Sequence, residues 1–459
     1  MPLRPYQTAL IHQLYEHWQS GYRRLMLQLA TGGGKTVLFA AIAQSFVTHG
    51  YRVLVLAHRE ELITQGAAKL TAITGHAVGI IKAGYPFEPD HPVQVASVQT
   101  IVNRLDQVSG VDLVVIDEAH HSTAATYQRI LNHFPQTLQL GVSATPCRAD
   151  GSGFADVFDE MVVGPSVASL IEQGYLSQFR LLADDQPMQT TGVRSRGGDY
   201  SAGELAAAND AIALSGSLVG SYRKHAMGKR AIVFAINCDH SRAIAAAYNN
   251  AGIPAAHLDG TTPADERRSV LAAFSAGELW VLSNCELFTE GFDLPALEAV
   301  QLARPTKSLS LYLQMVGRVL RTAPGKEQAL ILDHTKNYLI HGLPTRPRLW
   351  SLDGVESESR EVRRNQTGEV VEAEPVLIEE TPAELQEIIV DPLAEWRLCW
   401  ETLKETQQQR GHKKGWIMHR LKEIGAPLEI WELAAAYLGY KRGWAWHRWQ
   451  EAQAAQAIA

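Results

Sequence analysis

Two short stretches carry residue types that could handle a phosphate chain. The first is Leu29-Ala30-Thr31-Gly32-Gly33-Gly34-Lys35-Thr36. Three consecutive glycines let a backbone wrap closely around an anion, and the N–H groups of a turn that opens a helix would point at it. Thr31, Gly32, Gly33 and Gly34 would form that cradle. Lys35 would reach the β- and γ-phosphates, and the Thr36 hydroxyl would sit on Mg²⁺. The strict form of this loop has a glycine where this chain has Leu29. The second stretch is Asp117-Glu118-Ala119-His120. Asp117 would hold the metal, directly or through water, and Glu118 would polarise an attacking water.

The surrounding residues supply the elements such groups need. Arg24 to Leu29 runs apolar like a buried strand, and Val37 to Ala43 reads as a buried helix, so the glycines fall on a strand-to-helix turn. Val111 to Ile116 is another strand, which delivers the two carboxylates at its C-terminal end. Further strands end in polar residues: Arg52–Ala57 before His58-Arg59-Glu60, Val93–Ala96 before Ser97-Val98-Gln99-Thr100, and Leu138–Val142 before Ser143-Ala144-Thr145. Alternating strands and helices predict a doubly wound α/β domain with its polar groups on one sheet edge. At the start, Arg4-Pro5-Tyr6-Gln7 precedes an amphipathic helix over Thr8–Trp18. The Gln7 amide could read an adenine edge, with Arg4 and Tyr6 packed on the ring.

The chain has 459 residues, 46% hydrophobic and 20% charged, with a net charge of −7. This is the composition of a globular protein of about three domains, in which any nucleic-acid surface must be local. Cys147, Cys238, Cys285 and Cys399 stand alone, which predicts neither a zinc site nor a disulfide framework. The start does not read as a signal peptide, and no apolar run reaches the ~18 residues of a membrane span. A soluble, cytoplasmic protein is expected.

A second α/β alternation begins at Arg230, with strands at Ala231–Ala235, Ala255–Leu258, Trp280–Ser283, Ala299–Leu302 and Ala329–Asp333. It has no phosphate loop, so two domains would clamp one nucleotide between them. The helix expected over Ser310–Leu320 is read as carrying Gln314, Gly317, Arg318 and Arg321. Arg318 and Arg321 are three apart and would share a face. Set against a γ-phosphate, two guanidiniums would neutralise transition-state charge and tie hydrolysis to domain closure. Between the domains, Gly174–Thr190 reads as a connection, and the Gly- and Arg-rich run 191–199 as a mobile loop.

Together these stretches resemble a superfamily 2 helicase of the DEAH-box kind over roughly residues 1 to 340. Arg4–Gln7 resembles the adenine-reading Q motif, and Ala30–Thr36, Asp117–His120 and Ser143–Thr145 resemble motifs I, II and III. Ala57–Glu60, Ser97–Thr100, Phe234–Ser241, Thr289–Asp293 and Gln314–Arg321 resemble motifs Ia, Ib, IV, V and VI. The opening and the 289–295 stretch are similar to the RadD and type III restriction helicase branch, although the zinc cysteines of RadD are missing. The resemblance implies two RecA-like domains, ATP hydrolysis with Mg²⁺, and a DNA substrate in preference to RNA. It implies that Arg59, Gln99, Thr100 and Thr289 track the phosphate backbone, and that Gly291 and Asp293 approach the nucleotide from the second domain. Motif III would couple hydrolysis to domain movement.

The expected domains are 1–175, 176–345, an acidic linker over 346–380 and a helical domain over 381–459. That last domain holds an internal repeat: Gly411-His412-Lys413-Lys414-Gly415-Trp416 recurs as Gly439-Tyr440-Lys441-Arg442-Gly443-Trp444, with His, Arg and Glu following at matching places. Basic turns beside Trp416 and Trp444 would suit contact with single-stranded, forked or branched DNA. The alternative is a small helical domain with a tryptophan core. The leading expectation is an ATP-dependent DNA helicase or translocase acting in DNA repair. A duplex translocase that separates no strands is one alternative; an ATP-gated nucleic-acid-binding module that recruits a partner nuclease is the other.

Overall fold

The computed structural model describes residues 2–58, 60–148, 152–184, 188–209, 211–288, 297–354, 385–388 and 391–458. Arg59, Thr289, Gly291, Asp293 and most of the expected linker lie outside them.

The first sheet is built from β1 (Arg24–Gln28), β2 (Val53–Ala57), β3 (Val78–Ile81), β4 (Val93–Ser97), β5 (Leu113–Asp117), β6 (Leu138–Ser143) and β7 (Glu160–Val163). Its order is β3-β4-β2-β5-β6-β1-β7, and every pair is parallel. β1, β2, β4 and β5 are almost wholly buried, as strands covered on both faces must be. Parallel pairing brings all C-terminal ends to one edge. Gln28 at the end of β1 pairs with Ser143, and Asp117 at the end of β5 pairs with Val142. The phosphate loop, the acidic pair and motif III therefore emerge side by side.

The second sheet contains β8 (Phe179–Asp184), β11 (Ala231–Ala235), β12 (Ala255–Leu258), β13 (Val281–Asn284), β14 (Ala299–Ala303), β15 (Ala329–Asp333) and β16 (Leu385–Glu387), with the short separate hairpin β9 (Ser195–Arg196) and β10 (Asp199–Tyr200) between β8 and β11 in the chain. Its order is β12-β13-β11-β14-β15-β8-β16, with only β16 antiparallel. Three features differ from the sequence reading. The stretch read as a connection contains β8, whose buried Leu181, Leu182 and Ala183 are too short an apolar run to show a period. The helix expected from Thr381 is preceded by β16, fixed to β8 by a bidentate Arg180–Glu387 pair at 2.9 and 2.6 Å. The Gly- and Arg-rich run forms a hairpin turning through Gly197 and Gly198, both at positive φ. Its Asp199 accepts hydrogen bonds from the Thr306 hydroxyl and the Lys307 amide, both at 2.8 Å.

Four helices matter to the site. α1 (Pro5–Gln19) packs beside the first sheet, and α2 (Lys35–Thr48) follows the phosphate loop. α3 (Cys238–Asn250) follows β11, and α4 (Leu309–Val319) follows β14. One continuous apolar cluster contains Leu29 and Leu176 together with Met315, Val316 and Leu320, so the two α/β units share a core where α4 meets the loop.

Residues 342–354 cross back to the first unit as a strap. The Arg348 guanidinium donates to the carbonyls of His341 (2.8 Å), Leu343 (3.0 Å), Pro344 (3.3 Å) and Arg346 (3.0 Å), which folds the strap on itself. Burial pulls its pKa down to about 10. Leu352 then accepts hydrogen bonds from the amides of Phe154 and Ala155 at 2.7 and 3.0 Å.

The C-terminal unit comprises α5 (Pro392–Arg410), α6 (Lys414–Glu423), α7 (Leu428–Leu438) and α8 (Arg442–Ile458). Gly411 and Gly439 end α5 and α7 in the left-handed conformation that favours glycine. Trp400 and Trp431 are core residues here, packed with Leu403, Ile417, Leu421 and Ile430.

Candidate active site

The loop after β1 is shaped by its glycines. Gly32 and Gly34 stand at φ +85° and +86°, which other residues rarely adopt. Gly34 caps α2, so Lys35 is the first helical residue and the helix N-terminus faces the loop. The loop is also braced from α1. Tyr6 donates to the Gly33 carbonyl at 2.6 Å, and Gln7 Nε2 donates to the carbonyls of Gly33 and Gly34 at 3.3 and 3.4 Å. Gln7 Oε1 accepts from the Arg4 amide at 3.0 Å. Arg4 donates to the Tyr6 oxygen at 3.1 Å and stacks over the Tyr175 ring at 4.6 Å. Burial raises the Tyr6 phenol pKa, which keeps it a donor. The groups expected to read adenine are thus tied to the loop backbone, a bracing role that sequence spacing did not reveal.

Glu118 occupies the left-handed region at φ 53°, ψ 56°, an uncommon place for a non-glycine residue. The turn is held by a hydrogen bond from its amide to Asp117 Oδ1 at 3.1 Å. Its carboxylate lies 3.8 Å from Lys35 Nζ and 3.4 Å from His120 Nδ1. The same His120 nitrogen is 3.4 Å from Ser143 Oγ. Ser143 Oγ in turn donates to the Thr145 carbonyl at 3.1 Å, and the Thr145 hydroxyl meets Ser310 Oγ at 2.5 Å. Ser310 belongs to α4. A polar chain therefore runs from Lys35 through Glu118, His120, Ser143 and Thr145 into the second unit. The sequence marks every member except Ser310, whose part depends on how the two units meet.

α4 closes over the loop at van der Waals range. A Cβ on Gly317 would lie 2.5 Å from Thr31 Cβ, and one on Gly32 would lie 2.9 Å from Leu176 and 3.4 Å from Arg321 Cγ. Gln314 and Arg318 are buried in this region. α4 ends at Val319, so Arg321 sits past the helix, where it bridges Leu176 instead of sharing a helix face with Arg318.

The loop fits a triphosphate and Mg²⁺ on its own chemistry. The Thr31 hydroxyl is buried, with no hydrogen-bond partner among the described residues. The helix N-terminus, Lys35 and the Asp117/Glu118 pair converge beside it. Thr36 and Asp117 would hold the metal, and Lys35 and the loop amides the phosphates.

The residues expected on the nucleic-acid side are less connected. Gln99 accepts from Ser97 Oγ at 2.8 Å, and the Thr100 hydroxyl accepts from the Ala83 amide at 3.3 Å. Trp416 and Trp444 lie in the C-terminal unit, remote in sequence from both α/β units.

The fold and this loop define a protein of two parallel-sheet α/β units with a glycine-rich strand-to-helix loop where they meet. Residues 1–148 match the family model for the type III restriction enzyme res subunit, and residues 212–323 match the helicase conserved C-terminal domain. A 51.5 kDa protein of a Lactococcus phage is 36% identical over 327 residues, covering 71% of this chain and 68% of its own length. The helicase-named IRC3 of Saccharomyces cerevisiae is 32% identical over 351 residues, covering 72% of this chain. The chain spans only 51% of that relative's length. Among solved structures, the DNA-bound ATP-dependent Type ISP restriction-modification enzyme LlaBIII superposes with a TM-score of 0.57 at 21% identity, covering 73% of this chain and 28% of that one. The chain belongs to the superfamily 2 helicases, in the part related to restriction helicases, a class of ATP-dependent nucleic-acid helicases and translocases.

Proposed function

We propose that this protein is an Mg²⁺-dependent ATPase that moves along or unwinds DNA. The observation that carries the reading is the contact between Gly317 on α4 and Thr31 in the phosphate loop. It places the Arg318 and Arg321 segment of one unit against the phosphate cradle of the other. Bound ATP supplies the phosphoanhydride whose hydrolysis drives movement. Lys35 and the loop amides would hold its phosphates, and Glu118 would accept a proton from the attacking water. Arg318 and Arg321 would offset charge on the γ-phosphoryl oxygens. The polar chain from Glu118 to Ser310 gives domain 2 a direct link to the chemistry. DNA is preferred because the similar restriction enzyme is bound to DNA, and because the opening and 289–295 stretches resemble that branch. Arg59, Gln99, Thr100 and Thr289 would contact its backbone, with the C-terminal unit on the branched or forked region.

A fluorescent forked-duplex assay tests this. ATP-dependent strand separation, absent in Lys35→Ala, is expected. ATP-driven displacement of a bound block from duplex DNA without strand separation would instead favour the translocase.

A further inference from the structure

Lys326 is a half-buried cation, and the end of α4 gives it a reason to be there. A helix leaves its last carbonyls without partners inside it. Here the chain leaves α4 through Leu320 and Arg321 and turns back at Gly325, which stands at φ +78°. The Lys326 amide closes the turn by donating to the Ala323 carbonyl at 3.1 Å. The turn carries the Lys326 ammonium under the helix end, where it donates to the carbonyls of Val319 and Arg321, the second at 2.7 Å. A cation placed there also meets the negative end of the helix dipole.

The same backbone is held from a second element. Buried Ser177 donates its amide to the Leu320 carbonyl at 2.7 Å and its hydroxyl to the Arg321 carbonyl at 3.2 Å. Its neighbour Leu176 bridges to Arg321 and lies 2.9 Å from where a Cβ on Gly32 would stand. The Arg321 stem packs on the same glycine, with Cγ 3.4 Å from that position. Arg321 thus leaves α4 on a backbone pinned by Lys326 and Ser177, with its side chain against the phosphate loop. Without such pins it would be a residue just past a helix end, where helices fray.

We infer that Lys326 is a positioning residue for ATP hydrolysis: its ammonium fixes the backbone from which Arg321 reaches the phosphate loop. This rests on the proposed motor, in which Arg321 offsets charge on the γ-phosphoryl oxygens. Charge-assisted hydrogen bonds are roughly twice as strong as neutral ones, so the clamp depends on the proton that Lys326 carries. Burial pulls the pKa of this amine down to about 8; the Glu298 carboxylate opposes that shift and Arg321 adds to it. Above that pH the amine keeps donors but loses its charge, and the clamp slackens. Turnover therefore falls on the alkaline side as Lys326 gives up its proton.

The test is steady-state ATP turnover of the full-length protein against pH, with and without single-stranded DNA. Lys326→Met keeps the stem and removes the charge. It should lower kcat about tenfold with KM for ATP unchanged, the signature of an interaction made in the transition state alone. Lys326→Arg should restore most of kcat and carry it to higher pH, because a guanidinium keeps its proton. Glu298→Gln should move the alkaline fall to lower pH by removing the charge that supports the ammonium. A clamp that serves stability alone would lower the thermal midpoint of Lys326→Met but leave kcat and the pH profiles of the other two variants as in wild type; that result overturns the inference. A wild-type protein with no ATP turnover would overturn the motor reading, and this inference with it.

Discussion

Gly317→Ala isolates the contact on which domain closure depends. The added Cβ would lie 2.5 Å from Thr31 Cβ and 2.7 Å from Thr31 Cγ2. Thr31 Cβ is fixed directly to the loop backbone, so a rotamer change cannot relieve the first clash. Overpacking of this kind costs about 1–3 kcal/mol. Because the clash spans two units, the cost falls on the closed arrangement and not on either fold. A deficit of that size lowers the closed population by roughly 5- to 150-fold. Within α4 the same substitution replaces a helical glycine by alanine, worth up to about 1 kcal/mol of added helix stability. The variant should therefore keep or raise its thermal midpoint while DNA-stimulated ATP turnover at saturating ATP falls at least fivefold. Calorimetry and a coupled ATPase assay on the same preparation measure both. Turnover within twofold of wild type, with the midpoint unchanged or higher, would refute the idea that hydrolysis needs Gly317 seated on Thr31.

Further outcomes follow from individual groups. Lys35→Ala should abolish ATP turnover without unfolding the protein; circular dichroism and steady-state turnover check this. Glu118→Gln should retain ATP binding and lose about 10²- to 10⁴-fold in turnover, as expected for a lost general base; equilibrium binding of a fluorescent ATP analogue separates the two effects. His240, buried in α3, has its pKa lowered by desolvation to about 4. The unfolded chain takes up this proton below about 6.5 while the native state does not, so stability falls as pH drops from 6.5 towards 4. The loss reaches about 3 kcal/mol, and His240→Gln should flatten the dependence of the urea midpoint between pH 7 and pH 5.

Much of the candidate site was legible in the sequence because its chemistry is local. A phosphate loop needs glycines, a lysine and a hydroxyl in one turn, and parallel strands oblige Gln28, Asp117 and Ser143 to share an edge. What escaped depends on tertiary placement. Ser310 gains its role only where α4 meets motif III. Tyr6 and Gln7 brace the loop because α1 packs across it, which no spacing reveals. β8 and β16 are short strands whose partners lie far away in the chain, and the hairpin at Ser195–Tyr200 is held by Asp199 reaching Thr306 over a long separation. The repeat was visible, but its two copies looked equivalent. Only the hydrogen bond from Arg420 to the Trp350 carbonyl of the strap and the exposure of Trp446 distinguish them.

The most direct test of the central claim is steady-state ATP turnover of the full-length protein with no nucleic acid, with single-stranded, duplex and forked DNA, and with RNA. Strong stimulation by DNA, lost in Lys35→Ala, is the predicted result. ATP binding with turnover unmoved by every nucleic acid would contradict a motor whose two units close on ATP as they move along DNA.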